Sequence, residues 1–141
     1  MRWLLIAFLL AFATLAPARA EDGLVINVPV VLKEAKVVFN MDHLAFDGDT
    51  PFGLDYMRIL AEGLTGDKTD WQIVSIFHGA AGYMLLVDAK YNEVRNTSTG
   101  NPYKGSITAL QKAGVRFEEC GETAKLNGWT NADLLCRGRG E

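Results

Sequence analysis

Trp71-Gln72-Ile73-Val74-Ser75-Ile76-Phe77-His78-Gly79 is an apolar run of strand length, closed by a polar residue and a glycine. Upstream, Leu54, Met57, Leu60, Ala61 and Leu64 recur at helical spacing and predict one buried stripe. Thr50-Pro51 reads as the N-cap and first helical position of that helix, and Gly66 as its terminator. Before it comes a polar loop at 42–49, and before that a second short apolar burst at 35–41 carrying Val37, Val38 and Phe39. Downstream, 82–95 predicts a helix, apolar nearly all round at 83–87. Asn101-Pro102 repeats the cap-plus-proline start, Ile107, Leu110 and Ala113 supply an apolar face, and Gly114 closes the helix. Residues 115–119 form a third strand, followed by Gly121 and a weak helical stretch at 122–127. The order strand, helix, strand, helix, helix, strand, helix implies an α/β domain, with a parallel sheet and helices on its faces.

The start of the chain is of another kind. Arg2 precedes an apolar run at 3–15, and Ala18-Arg19-Ala20 closes it with the small-x-small pattern of a secretory signal. Pro17 and Arg19 interrupt the run before it reaches the length of a membrane span. Cleavage after Ala20 is expected, placing the mature protein in the periplasm or outside the cell, with no membrane attachment. The expected organisation is 1–20 signal, 21–34 extended arm, 35–135 domain and 136–141 an atypical tail. In the arm, Leu24, Ile26, Val28, Val30 and Leu32 alternate as in an edge strand, and Pro29 suits an edge.

Loss of Arg2 and Arg19 leaves 12 basic against 17 acidic residues, so no basic stripe recommends a nucleic acid partner. Hydrophobic content of 49% suits one packed domain. The two cysteines, Cys120 and Cys136, are too few for a disulfide-stapled fold, so an apolar core must hold the domain together.

Ligands of parallel α/β sheets bind beyond the carboxyl ends of the strands, near a reversal of strand order. The residues just past the three strands are Asp42-His43, His78-Gly79 and Cys120-Gly121. Both histidines and one cysteine thus fall at one end of the sheet, and these side chains suit proton transfer and nucleophilic attack near neutral pH. A helix starting behind Cys120 favours its thiolate, which could carry sulfane sulfur as a persulfide. Glu118, on the same side of the strand as Cys120, and Glu119 and Glu122 would oppose this if close. An inert buried cysteine is the alternative. His78 is a candidate acid, base or sulfur-orienting donor, or else a structural histidine; Asp42 with His43 is a second polar pair. The paired spacings of zinc motifs are absent, as are a phosphate-binding glycine loop and a C-x-x-C motif, so neither metal nor cofactor is expected.

The stretches Ala35-Lys-Val-Val-Phe-Asn-Met-Asp42, Ile76-Phe-His-Gly79, Asn101-Pro-Tyr-Lys-Gly105 and Gly114-Val-Arg-Phe-Glu-Glu-Cys120 together resemble the DsrE/DsrF-like proteins, specifically exported members with a signal peptide. The resemblance runs from about Val28 to Leu135 and rests on the order and spacing of these stretches. It implies a three-layer α/β sandwich with a mainly parallel sheet, flavodoxin-like in arrangement, usually a homo-oligomer, with many members linked to sulfur relay. The family's cysteine position matches Cys120, and the sulfur-carrier role transfers there alone. The match assigns no role to His78. After Leu135 the family continues into a further strand and a final helix, whereas this chain reads Cys136-Arg-Gly-Arg-Gly-Glu141. Truncation of that last strand and helix is the expectation, with a partner supplying the strand as the alternative. A disulfide between Cys120 and Cys136 would block sulfur chemistry. Three functions follow: an exported sulfur carrier with a donor or acceptor protein as partner, an oligomeric module binding a small ligand or partner segment, or a damaged copy that barely folds.

Overall fold

The computed structural model describes residues 30–48 and 50–135, and the folded unit begins at Leu32. The signal segment, the arm through Pro29, and the tail with Cys136 lie outside the described residues. Strand β1 (Glu34–Met41) is followed by two short strands, β2 (Phe46–Asp47) and β3 (Thr50–Pro51), and by helix α1 (Phe52–Gly66). Then come β4 (Asp70–Phe77), a 3₁₀ run over Gly79–Leu85, α2 (Asp88–Arg95), α3 (Lys104–Ala113), β5 (Arg116–Glu119) and α4 (Gly121–Leu126). A last 3₁₀ turn covers Asn131–Asp133.

The three long-range strands form one parallel sheet in the order β1-β4-β5. The α/β class with a parallel sheet and flanking helices is therefore as the alternation of apolar runs implies. Strand order advances in one direction, so no reversal occurs among the described strands. The candidate residues meet because neighbouring strands end level.

Alternation along each strand decides which face is covered. Ala35 and Met41 of β1, Ile73 and Phe77 of β4 and Phe117 of β5 join one core with Leu54, Met57, Ala61 and Leu64 of α1 and Ile107 and Leu110 of α3. Each leucine, isoleucine, methionine or phenylalanine among them contributes about 1.5–3 kcal/mol when fully buried. The opposite face carries Lys36, Val38 and Asn40 beside Gln72, Val74 and Ile76, with Arg116 and Glu118 on the far strand. Val38 is 66% exposed there. No helix among the described residues is long and apolar enough to cross a membrane.

The structure departs from the sequence expectations where distant partners intervene. Thr50 does not cap α1: Thr50–Pro51 pairs with Phe46–Asp47 in a two-residue antiparallel ladder, and Pro51 stands at the cap position. That ladder is too short to leave a periodic signal. The helix expected over 82–95 is split into the 3₁₀ run and α2 by extended backbone at Leu86 and Val87. The backbone groups there are taken by remote segments. Leu135 N–H donates to the Leu85 carbonyl at 2.7 Å, Val87 N–H donates to the Asp133 carbonyl at 2.8 Å, and Leu86 bridges Leu134.

Asn101 supplies the third set of bonds. Its buried amide nitrogen donates to the carbonyls of Met84 at 2.8 Å and Leu86 at 2.6 Å, and its Oδ1 accepts from Tyr103 N–H at 2.9 Å. Drawn inward in this way, Asn101 is not the N-cap of α3, which starts at Lys104 with Tyr103 in that place. Gly114 does end α3 in the left-handed region at φ +108°, packed over Trp71. Asn101→Ala strands three polar backbone groups, and the expected loss is about 2–3 kcal/mol of stability. Urea denaturation of the variant checks this; a midpoint unchanged from wild type would contradict it.

Candidate functional site at the strand ends

Register aligns the ends of the three strands. Met41 pairs with Phe77, and Phe77 with Glu119. The ladder continues one step beyond, where His78 N–H donates to the Met41 carbonyl at 2.9 Å and Cys120 N–H donates to the Phe77 carbonyl at 2.8 Å. Asp42, His78 and Cys120 thus form one row across the sheet, each the first residue past its strand. Parallel strands with even bond spacing keep such a row level.

His78 is partly buried, and its Nε2 lies 2.8 Å from Oδ1 of Asn40, so that the ring N–H donates to the amide oxygen. Both side chains belong to the face of the sheet opposite α1. Asp42 and His43 are exposed and bonded to each other through Oδ1 and Nδ1. That bond holds the Asp42 carboxyl below its ordinary range. Gly79 takes φ +55°, and its N–H donates to Thr123 Oγ1 at 3.0 Å, tying the end of β4 to α4. A side chain at Gly79 would press on the Asp42 carbonyl, 3.3 Å from the Cβ position. Gly121 opens α4 with space around it.

Cys120 caps α4 with extended backbone, and its residue is partly exposed. Its thiol is held below the ordinary thiol value by the N–H groups of Thr123 and Glu122 and by the Thr123 hydroxyl, with Glu119 opposing. This corrects the expected role of Glu118. That carboxylate turns back along its own strand to Arg116, at 2.8 Å from Nε. Glu122 acts through its backbone N–H and favours the thiolate.

Sequence inspection missed Asn40 and Thr123, and it named Glu119 only beside Glu118 and Glu122, without its burial. Glu119 had a legible signal: Val115, Phe117 and Glu119 alternate onto the same face, and Val115 and Phe117 are buried. Its two carboxylate oxygens are shielded from solvent and bond to nothing among the described residues. Burial raises its pKa to about 7. Thr123 could not be foreseen, because its contact with Gly79 spans 44 residues of chain.

A separate groove of about 750 Å³ runs between α1 and α3, lined by Leu54, Arg58, Ala61, Trp71, Ala109 and Leu110 among others. None of the strand-end residues lines it. Among the described residues, no three His, Cys, Asp or Glu side chains converge as a metal-ligand set.

No family model matches this chain, and no curated protein does. Among solved structures it is similar to a protein of unknown function, MTH1491 from Methanobacterium thermoautotrophicum. The TM-score is 0.47 and the identity 20%, over 72% of this chain and 75% of that one.

The buried carboxyl sets a pH dependence. Glu119 keeps its proton up to about pH 7 in the folded protein, against an ordinary value of 4.5. Between these two values the folded state binds more protons than the unfolded state, so this contribution to stability falls as pH rises through the window. Glu119→Gln removes that slope. Urea denaturation at a series of pH values should show the variant gaining on wild type from pH 4.5 to 7 and running parallel above; curves parallel throughout would refute the assignment.

Proposed function

We propose that this chain is an exported, DsrE-like sulfur-handling protein in which Cys120 transiently carries sulfane sulfur for a partner protein. The observation that carries this reading is the place of Cys120, a partly exposed free cysteine at the end of β5, level with His78 and next to the donors of the first turn of α4 that lower its thiol pKa. Nucleophilic attack on sulfur needs the thiolate, and these donors favour it. Loading requires no net redox change. The Cys120 thiolate attacks the outer sulfur of a donor persulfide, R–S–SH; a new S–S bond forms at Cys120, the donor S–S bond breaks, and R–S⁻ leaves. Transfer to an acceptor thiolate is the same exchange in reverse.

His78 stands one register step away and is the proposed proton donor or acceptor to the transferring sulfur. The reading includes a homo-oligomer, a sulfur donor or acceptor protein, and residence in the periplasm or outside the cell. An oxidising compartment threatens any persulfide, so a reducing partner or oligomeric cover belongs to the same proposal.

Incubation with a sulfane donor, followed by mass spectrometry, should add the mass of one sulfur atom to the peptide containing Cys120. Cys120→Ser should carry none. Absence of the adduct on wild type, in conditions that load a control rhodanese, would refute the carrier function.

A further inference from the structure

The charged residues on the sheet face opposite α1 are paired off with one another. Lys36 Nζ lies 2.6 Å from Glu34 on β1, and Arg116 Nε lies 2.8 Å from Glu118 on β5. Past the end of β1, Asp42 is bonded to His43. Glu119 belongs to the buried face, in space left open by Gly82, where a Cβ would stand 2.6 Å from its Oε1 and 3.0 Å from Thr123 Cγ2. The side chain bonded to His78 is a neutral one, Asn40.

Register brings these two together. Asn40 pairs with Ile76 across the parallel ladder, and His78 follows Ile76 on the same face, two residues further along. The His78 backbone is held by its N–H bond to the Met41 carbonyl at 2.9 Å, and Gly79 after it by Thr123 Oγ1 at 3.0 Å. From that fixed point the ring turns back over the sheet, and Nε2 reaches Asn40 Oδ1 at 2.8 Å. An amide oxygen only accepts, so the proton of the neutral ring is on Nε2 and Nδ1 holds the free lone pair. Among the described residues the ring makes no second hydrogen bond.

We infer that Asn40 is a positioning residue that fixes the Nε2–H tautomer of His78 and leaves Nδ1 to exchange a proton with the transferring sulfur. This deepens the sulfur-carrier reading and rests on it for the reaction. In loading, Nδ1 takes the proton of the Cys120 thiol; the S–H bond breaks and its electron pair stays on Sγ. The thiolate attacks the outer sulfur of R–S–SH, the donor S–S bond breaks, and R–S⁻ leaves with the electron pair of that bond. Nδ1 then returns its proton to R–S⁻, giving R–SH and a neutral ring. Throughout, Nε2–H stays bonded to Asn40 Oδ1, which steadies the cationic ring without adding a charge to the site. A thiol and a persulfide exchange one sulfur atom, with no net oxidation.

The tautomer is read by long-range ¹H–¹⁵N NMR of the imidazole at about pH 9, above the ordinary histidine range. Wild type should show Nε2 protonated and Nδ1 bare. Asn40→Leu, which has no acceptor, should give a mixture in which Nδ1–H appears. Asn40→Asp, whose carboxylate only accepts, should restore Nε2–H. Loading of Cys120 from a small-molecule persulfide, followed by mass spectrometry, should slow about tenfold in Asn40→Leu and recover in Asn40→Asp. A merely structural Asn40 would leave the tautomer as it is. Circular dichroism establishes folding, Asn40→Ala replaces Asn40→Leu if the latter does not fold, and the wild-type tautomer needs no variant. Wild type with its proton on Nδ1, or a folded variant lacking the acceptor that keeps the wild-type tautomer or loading rate, overturns the inference. Absence of loading in wild type refutes the carrier function, whereas equal loading by wild type and Asn40→Leu refutes the inference alone.

Discussion

Strand β4 is hydrogen-bonded on both sides, to β1 along its whole length and to β5 over its last four residues. Parallel pairing of this kind needs a crossover between each pair of strands, and α1 and α3 stand in those crossovers. Because strand order advances in one direction, both helices fall on one face, where Ile73 and Phe77 reach Met57 and Ile107 in the core. The same pairing fixes the row Met41, Phe77 and Glu119, and with it the positions of Asp42, His78 and Cys120 one residue further on. A slip of one residue in β5 would carry Phe117 out of the core and Glu118 into it, so packing enforces the register on which the site depends.

The second constraint is backbone satisfaction around Leu86. At Met84–Val87 the 3₁₀ run ends and the backbone turns extended beside the core, so carbonyls and N–H groups there need partners from elsewhere. Asn101 and residues 133–135 provide them. The short stretch before the tail thereby becomes part of the core: Leu134 and Leu135 pack against it, and Gln111 of α3 donates to the Leu135 carbonyl. The loop ahead of α3 and the last described residues stabilise one another through this shared segment.

Opposing influences meet at Cys120. Donors from the first turn of α4 favour the thiolate, and a carboxyl buried behind it resists a second charge.

Local pattern in the sequence was enough for the three long strands, α1, the end of α3 at Gly114 and the clustering of His43, His78 and Cys120 at one end of the sheet. Each of these follows from apolar spacing, from glycine's access to positive φ, or from the rule that parallel strands end on the same side. The β2–β3 ladder, the break at Leu86, the inward turn of Asn101 and the partnership of Glu119 with Thr123 and Gly82 depended on tertiary structure. In these cases the deciding hydrogen bond or contact joins residues far apart in the chain, or forms a ladder too short to impose a period. Composition and spacing placed a cysteine at a strand end. Only the packing of β5 against α4 and Gly82 decided which glutamate its thiol must contend with, because burial of a carboxylate is a property of the assembled core.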